Sequence, residues 1–368
     1  MNRTKIVVIG GGTSSAAILS GLKAEPSFSL TAILPVTDSG GSSKAFVQAF
    51  ARYKREQGRE ITMVPPGDLS SALLALSNHS PDIRELLNYR FANLESMFHG
   101  HSVRNVLVGA AMELWGTKGL AHLLEIFAVD AQALPIADEA VRLYATLRDG
   151  TQVHSYGVPD PRNPSETLLL EGEEAVDYLP YQHGISSPIA SIGLLPYGDT
   201  LPSIDPAAKK AIIEADILLF SPGDIWTSTA PILAIPGVKE TLQETKATKC
   251  YFVPLMTKRL NTEGFTVRDF VSALEAYAFP GLFDIVFYHR NGIADETLHR
   301  YAEEGAAPVA LGDMDSIDAE VIVTDLLYDQ AIAAEKAETA APRSTLRHDP
   351  EKVLEAIRLL TNRISGNN

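Results

Sequence analysis

The strongest constraint on this chain is a strand that runs into three glycines. Residues 5–12 read Lys-Ile-Val-Val-Ile-Gly-Gly-Gly. The β-branched run suits a buried strand. Thr13, Ser14 and Ser15 then offer N-cap side chains to a helix whose Ala16, Ala17, Ile18, Leu19 and Leu22 recur at helical spacing. A second apolar run at 30–36 completes strand, helix and strand in about 36 residues. Strands joined by such a crossover are parallel, so the spacing predicts a βαβ unit. The expected fold class is α/β: a Rossmann-like, mostly parallel sheet with flanking helices and a small β-rich insertion.

Later segments extend that reading. Strands are expected at 216–220, 250–253, 284–288 and 320–324, and helices at 69–76, 82–98, 120–127, 206–215 and 267–277. Residues 141–147 alternate like a strand, and Asp149-Gly150 is a hairpin turn leading to a partner at 151–155. The polar, basic stretch 44–62 reads as a surface helix and loop, and 158–184 as a Pro- and acid-rich loop with an edge strand. One α/β domain over 1–368 is expected, with the insertion at about 135–200 and a helical closing segment at about 331–368.

Composition narrows the function. With 45% hydrophobic and 21% charged residues the chain has material for a core and is not largely disordered. The net charge of −15 argues against a nucleic-acid partner, which needs a basic face. No apolar run approaches the roughly 20 residues of a membrane span. The short apolar start reads as a strand rather than a signal peptide, and one cysteine, Cys250, allows no intrachain disulfide, so a cytoplasmic home is expected.

Three turns follow predicted parallel strands, at 10–13, 37–43 and 221–224. Ligands of open α/β sheets bind outside the carboxyl ends of the strands. Glycine-rich turns at helix starts present free N–H groups there, which suit a phosphate or diphosphate. Ser15 stands where the dinucleotide fingerprint needs its third glycine, and there is no Walker A motif. Asp38, Asp68 and Asp224 each sit in a glycine-containing turn and have two readings: Mg²⁺ ligands or helix caps. His101 reads equally as a phosphate donor or a cap, and His99 as structural. Arg90 and Arg104 are phosphate partners or surface ion-pair residues.

Six motifs in order resemble the superfamily of 2-phospho-L-lactate transferases and gluconeogenesis factors, the CofD and YvcK proteins. They are Gly10-Gly11-Gly12-Thr13; Asp38-Ser39-Gly40-Gly41-Ser42-Ser43; Pro65-Pro66-Gly67-Asp68; Gly100-His101-Ser102 with Asn105; Ser221-Pro222-Gly223-Asp224 with Thr227-Ser228; and Leu346-Arg347-His348-Asp349-Pro350. The resemblance implies a nucleotide or nucleotide-sugar ligand held by these turns. The closing Arg-His-Asp-Pro segment is similar to the gluconeogenesis-factor branch, which binds UDP-N-acetylglucosamine and acts in carbon metabolism and cell-envelope control. It implies that Tyr301 and Arg347 contact the ligand. The other branch implies a Mg²⁺-dependent transfer from a guanosine diphosphate-linked donor, with Asp38, Asp68 and Asp224 around the metal and Asp38 and Asp68 as catalytic candidates. A homodimer and a regulatory protein partner are further implications. A third reading is an interaction protein with a degenerate pocket and a partner surface at 158–184. The chain departs from the family pattern at several positions. Ser39 stands for a second Asp, Ser70 for Arg, Ser71 for Asn, Arg104 for Gly, Asp224 for Ser and Trp226 for Tyr.

Overall fold

The computed structural model describes residues 3–37, 47, 52–53, 56, 63–91, 100–159, 167–171, 175–176, 186–290, 292–328, 346–364 and 366. The 38–43 turn, most of 44–62, most of the 158–184 segment and 331–345 therefore lie outside the described residues.

β1 (Thr4–Ile9) leads through α1 (Gly12–Leu22) to β2 (Phe28–Leu34). Helices α2 (Pro66–Leu76), α3 (Pro81–Asn88), α4 (Val103–Trp115) and α5 (Leu120–Ile126) precede β3 (Gln132–Pro135). An antiparallel sheet is built from β4 (Val141–Leu147), β5 (Gln152–Val153) and β8 (Ile189–Pro196), and β6 (Ser155–Pro159) pairs with β7 (Thr167–Glu171). The chain then returns through α6 (Pro206–Ile213), β9 (Ile217–Phe220), α7 (Ala230–Leu233), α8 (Val238–Glu244), β10 (Thr248–Phe252), α9 (Val267–Glu275), β11 (Ile285–His289), α10 (Asp295–Glu303), β12 (Glu320–Thr324) and α11 (Pro350–Ile364).

The large sheet has seven strands in the order β12-β11-β10-β9-β1-β2-β3, and each pairing is parallel. Its first strand is therefore internal. The chain winds from β1 outward to β3, returns to the other side of β1 at β9, and winds out to β12. The reversal puts a topological switch point between β1 and β9, where open α/β sheets bind ligands. The fold is Rossmann-like, with helices flanking the parallel sheet.

The central strands show why. Ile6, Val7, Val8 and Ile9 are buried, as are all four residues of β9. Both faces of a parallel sheet are covered by helices, so such strands read as continuous apolar runs. Burying each of these side chains contributes about 2 kcal/mol. The edge strand β12 is only half-buried. On one flank α1 packs against α2 and α11. Gly21 permits the last contact, because a Cβ there would lie 2.3 Å from the Pro350 carbonyl oxygen. The small sheet is tied to the large one through α9: the Tyr277 hydroxyl, just past that helix, accepts from Ile192 N at 2.6 Å and donates to Ile192 O at 3.1 Å. Among the described residues no helix is long and apolar enough to cross a membrane.

One expectation changes. The helix expected over 82–98 stops at Asn88, because Tyr89 turns to extended backbone and Arg90 bridges to Ser102. The 135–200 insertion starts after β3, which pairs with β2 in the large sheet; the four-residue strand is too short to show a period of its own. The expected hairpin is present, β4 pairing with the short β5, and β8 pairs along the other side of β4.

Candidate functional site

β1 and β9 end in register, with Ile9 opposite Phe220. Gly10 and Ser221 therefore leave the sheet side by side. Ser221 N donates to Ile9 O at 2.9 Å, and Gly10 N donates to Ile33 O at 3.1 Å on the other side. Gly10 takes φ of +139° and Gly12 φ of +72°, conformations that favour glycine. Space makes the same demand. A Cβ on Gly10 would stand 2.1 Å from Ser221 Oγ, and one on Gly11 2.1 Å from Asp68 Oδ2. A Cβ on Gly223 would lie 3.1 Å from Ser228 Cβ and 3.3 Å from Gly11 O. Turns distant in sequence thus meet at the switch point, glycine backbone against the side chains of Ser221, Asp68 and Ser228 and the Gly11 carbonyl.

The start of α1 differs from expectation. Its N-cap is Gly11, with no side-chain cap from Thr13, Ser14 or Ser15. Asp68 does that work from the start of α2, its Oδ1 accepting from Gly12 N at 3.0 Å. A carboxylate at a helix N-terminus is stabilised by the helix dipole. The remaining first-turn N–H groups, Thr13 among them, have no intrahelical acceptor.

The 100–105 turn docks on the same helix α2. Ser102 caps α4, its Oγ accepting from Asn105 N at 3.3 Å. The buried Asn105 side chain is hydrogen-bonded to Ser70 Oγ, which also reaches Gly67 O at 2.9 Å. Ser70, a departure from the family pattern, is thus a strut between the two motifs. His101 is buried, and burial, with the Arg90 guanidinium second, holds its imidazole below the usual range. It is neutral at pH 7.

After Asp224 the chain forms one turn of π-helix over Ile225–Thr229, a form found mostly at functional sites. Thr227 and Ser228 lie in it, and Ser228 N donates to Asp224 O at 2.8 Å. Asp224 Oδ1 accepts from Trp226 N at 3.0 Å. Its Oδ2 accepts from Lys258 Nζ at 2.7 Å and Asn261 Nδ2 at 3.1 Å. Ser221 Oγ is a buried hydroxyl with no protein partner among the described residues, aimed at the glycine turn.

Tyr301 is joined to the segment that carries Arg347 through Leu346. The Tyr301 ring is only 6% exposed, and its hydroxyl accepts from Leu346 N at 3.1 Å. It anchors the segment that carries Arg347 rather than offering an open stacking face. That arm is held by Tyr328 N to Arg347 O and Asp349 N to Leu326 O, at 3.1 and 2.7 Å. The buried His348 reaches back to the Val253 backbone at the end of β10. The arm therefore crosses the carboxyl ends of β12, β11 and β10, the same edge as the glycine turns. β11 stands three strands from β1, roughly 14 Å at ordinary strand spacing.

Of the expected site residues, the structure brings together Gly10, Gly11, Gly12, Thr13, Gly67, Asp68, Ser221, Gly223, Asp224, Thr227 and Ser228 around one crevice, with Asn105 joined through Ser70. Tyr301 and Arg347 form a second cluster along the edge. Asp38, Gly40, Gly41, Ser42 and Ser43 lie outside the described residues, immediately after Thr37 at the end of β2. Sequence reading noted Ser70 and Trp226 only as departures from the family pattern and missed Lys258 and Asn261. The signal for the last two was positional, since the loop after β10 leaves on the site edge.

The Asp224 carboxylate is a poor ligand for a divalent cation. Both Asp224 oxygens already accept hydrogen bonds, one from an ammonium. Among the described residues no three His, Cys, Asp or Glu side chains gather as a metal site. Asp38, the third expected metal ligand, lies outside the described residues.

A doubly wound α/β protein with glycine-rich turns meeting at its switch point is the class that fold and site define. The sequence signature of 2-phospho-L-lactate transferase CofD matches residues 6–327, so the chain belongs to the CofD family. It is 29% identical over 359 residues to the gluconeogenesis factor of Halalkalibacterium halodurans, covering 97% of this chain and 96% of that one. It is 28% identical over 354 residues to the gluconeogenesis factor of Bacillus subtilis, covering 95% and 96%. A crystal structure of a UPF0052-family protein from Bacillus halodurans superposes with a TM-score of 0.77 at 28% identity, over 97% of this chain and 99% of that one.

Proposed function

We propose that this chain binds a nucleotide sugar of the UDP-N-acetylglucosamine type and acts, as a gluconeogenesis-factor-type protein, in regulating carbon metabolism or cell-envelope synthesis. One observation carries the reading: the glycine turn of β1 meets the Ser221–Gly223 turn of β9 at the switch point, with first-turn helix N–H groups that lack an intrahelical acceptor and the Ser221 hydroxyl facing it. The diphosphate lies over Gly10–Gly12, with Thr13, Thr227 and Ser228 as hydroxyl donors. The rest of the ligand extends along the edge toward Arg347, whose guanidinium suits phosphate oxygens. A ligand reaching both clusters is an extended one.

The family's transferase chemistry ranks second, because Asp224, one of its expected metal ligands, is already engaged by Lys258. Calorimetric titration with UDP-N-acetylglucosamine and with GDP, each with and without Mg²⁺, separates the two. Uridine binding that raises the melting temperature by mass action and weakens in Arg347→Ala supports the reading. Guanosine binding that requires Mg²⁺ overturns it in favour of the transferase.

A further inference from the structure

We infer that a cleft at the amino ends of β10, β11 and β12 binds a small dicarboxylic amino acid. The sheet is parallel, so this cleft lies on the edge opposite the glycine turns and shares no residue with the crevice there.

The cleft has a volume of about 380 Å³, within the span of small-molecule pockets. The first residues of the three strands, Thr248, Ile285 and Glu320, line it. The last turns of α11 close one side with Leu360, Arg363 and Ile364.

Its charges point to the ligand. Arg363 is occupied by Glu320: its Nη1 donates to Oε1 at 2.8 Å and its Nη2 to Oε2. Lys246, Lys249 and Asp284 are the other charged residues of the lining. Asp284 Oδ2 accepts from the Lys249 main-chain N–H at 2.7 Å, while the Lys249 ammonium turns to Ala247 O at 3.2 Å. Among the described residues neither ammonium forms an ion pair with Asp284 or with another carboxylate. One cleft thus holds two ammoniums and one carboxylate that do not neutralise one another. Their complement is a molecule with two carboxylates and one ammonium.

The hydrogen-bonding capacity matches. An ammonium has three donors, of which Lys249 uses one on Ala247 O, and an ionised carboxylate has about four lone-pair sites, of which Asp284 uses one on the Lys249 amide. Leu360 and the exposed Ile364 give an apolar wall for the methylene groups between the ligand's charges. A phosphate dianion suits the cleft less well, because Asp284 repels it and no ammonium on the ligand answers that carboxylate.

The test is calorimetric titration with L-glutamate, L-aspartate, L-glutamine, glutarate and inorganic phosphate. The proteins are wild type, Lys246→Gln/Lys249→Gln and Asp284→Asn. Asparagine keeps an acceptor for the Lys249 amide, and circular dichroism with thermal melting checks folding. Wild type is expected to take L-glutamate or L-aspartate. L-Glutamine and glutarate each lack one charged partner and should bind about ten- to a hundredfold more weakly than L-glutamate. The double-lysine variant should lose the amino acid by at least as much. Asp284→Asn should bind L-glutamate no better than glutarate. Should the double variant fail to fold, Lys246→Gln alone, at an exposed side chain, should still weaken the amino acid several-fold. Three results overturn the inference: wild type binding neither amino acid, glutarate or phosphate binding as tightly as the amino acids, or folded variants binding like wild type.

Discussion

At the β1/β9 crevice the defining contacts are made by main chain. Gly10 and Gly11 approach neighbours too closely for a Cβ, Gly223 leaves only a tight fit for one, and the groups offered to a ligand are chiefly N–H groups. At the C-terminal arm side chains reinforce two backbone hydrogen bonds, Tyr328 N to Arg347 O and Asp349 N to Leu326 O. The Tyr301 hydroxyl holds Leu346, His348 reaches Val253, and Lys352 pairs with Asp325 at 2.8 Å. Both regions lie on the carboxyl edge of one sheet. The comparison teaches that one binding edge can be half backbone and half side chain, and that the halves fail in different ways. A backbone site is broken by adding an atom. A side-chain site is loosened by removing one or by protonating one.

The largest effect is expected from adding the atom. Gly10→Ala puts a Cβ 2.1 Å from Ser221 Oγ in a conformation of φ +139°. Strain and overpacking together should cost about 3 kcal/mol. The measurement is the urea midpoint, alongside ligand titration: stability falls and anion binding is lost together. A variant with wild-type stability and binding would show that the turns are not in contact as described.

The same contrast explains what sequence could reveal. The buried strands at 6–9, 217–220 and 285–287 announced themselves as apolar runs, and Gly10–Gly12 marked the first turn because only glycine tolerates that geometry. β3 escaped because four residues carry no periodicity. The cap of α1 escaped because its donor, Asp68, lies 56 residues away. Local rules assign caps to neighbours, here Thr13 to Ser15, and cannot see a carboxylate arriving from another helix. Lys258 and Asn261 escaped for the same reason: their meaning depends on Asp224, which the fold supplies. The arm was legible only through its resemblance to a known segment. A tyrosine holding a backbone amide 45 residues on leaves no spacing signature.

Protonation should act on the arm with a smaller, graded effect. Burial, with His289 second, holds His348 down to about 3, against 6.5 for an exposed histidine. Between those values the unfolded chain binds a proton that the folded chain refuses. Stability is therefore full above pH 6.5 and falls as pH drops toward 3, by about 2 kcal/mol between neutral pH and pH 5 from this group. Denaturant titrations across that range should show the loss, and His348→Gln should flatten it. An unchanged slope in the variant would assign the loss to other groups.

The smallest effect separates the two regions most sharply. Tyr301→Phe removes one hydroxyl and leaves Leu346 N without its acceptor, while the ring keeps its buried place. One such hydrogen bond is worth about 1 kcal/mol, so the melting temperature should fall by only a few degrees. The arm, however, should be affected locally. Amide exchange at Leu346 and Arg347 should quicken, while the amides of α1 keep their protection, because nothing in the glycine turn depends on Tyr301. If the ligand spans both regions, UDP-N-acetylglucosamine should weaken several-fold in this variant. Inorganic pyrophosphate, which needs the crevice alone, should bind as it does to wild type. Equal weakening of both would mean that the arm and the crevice are one cooperative unit.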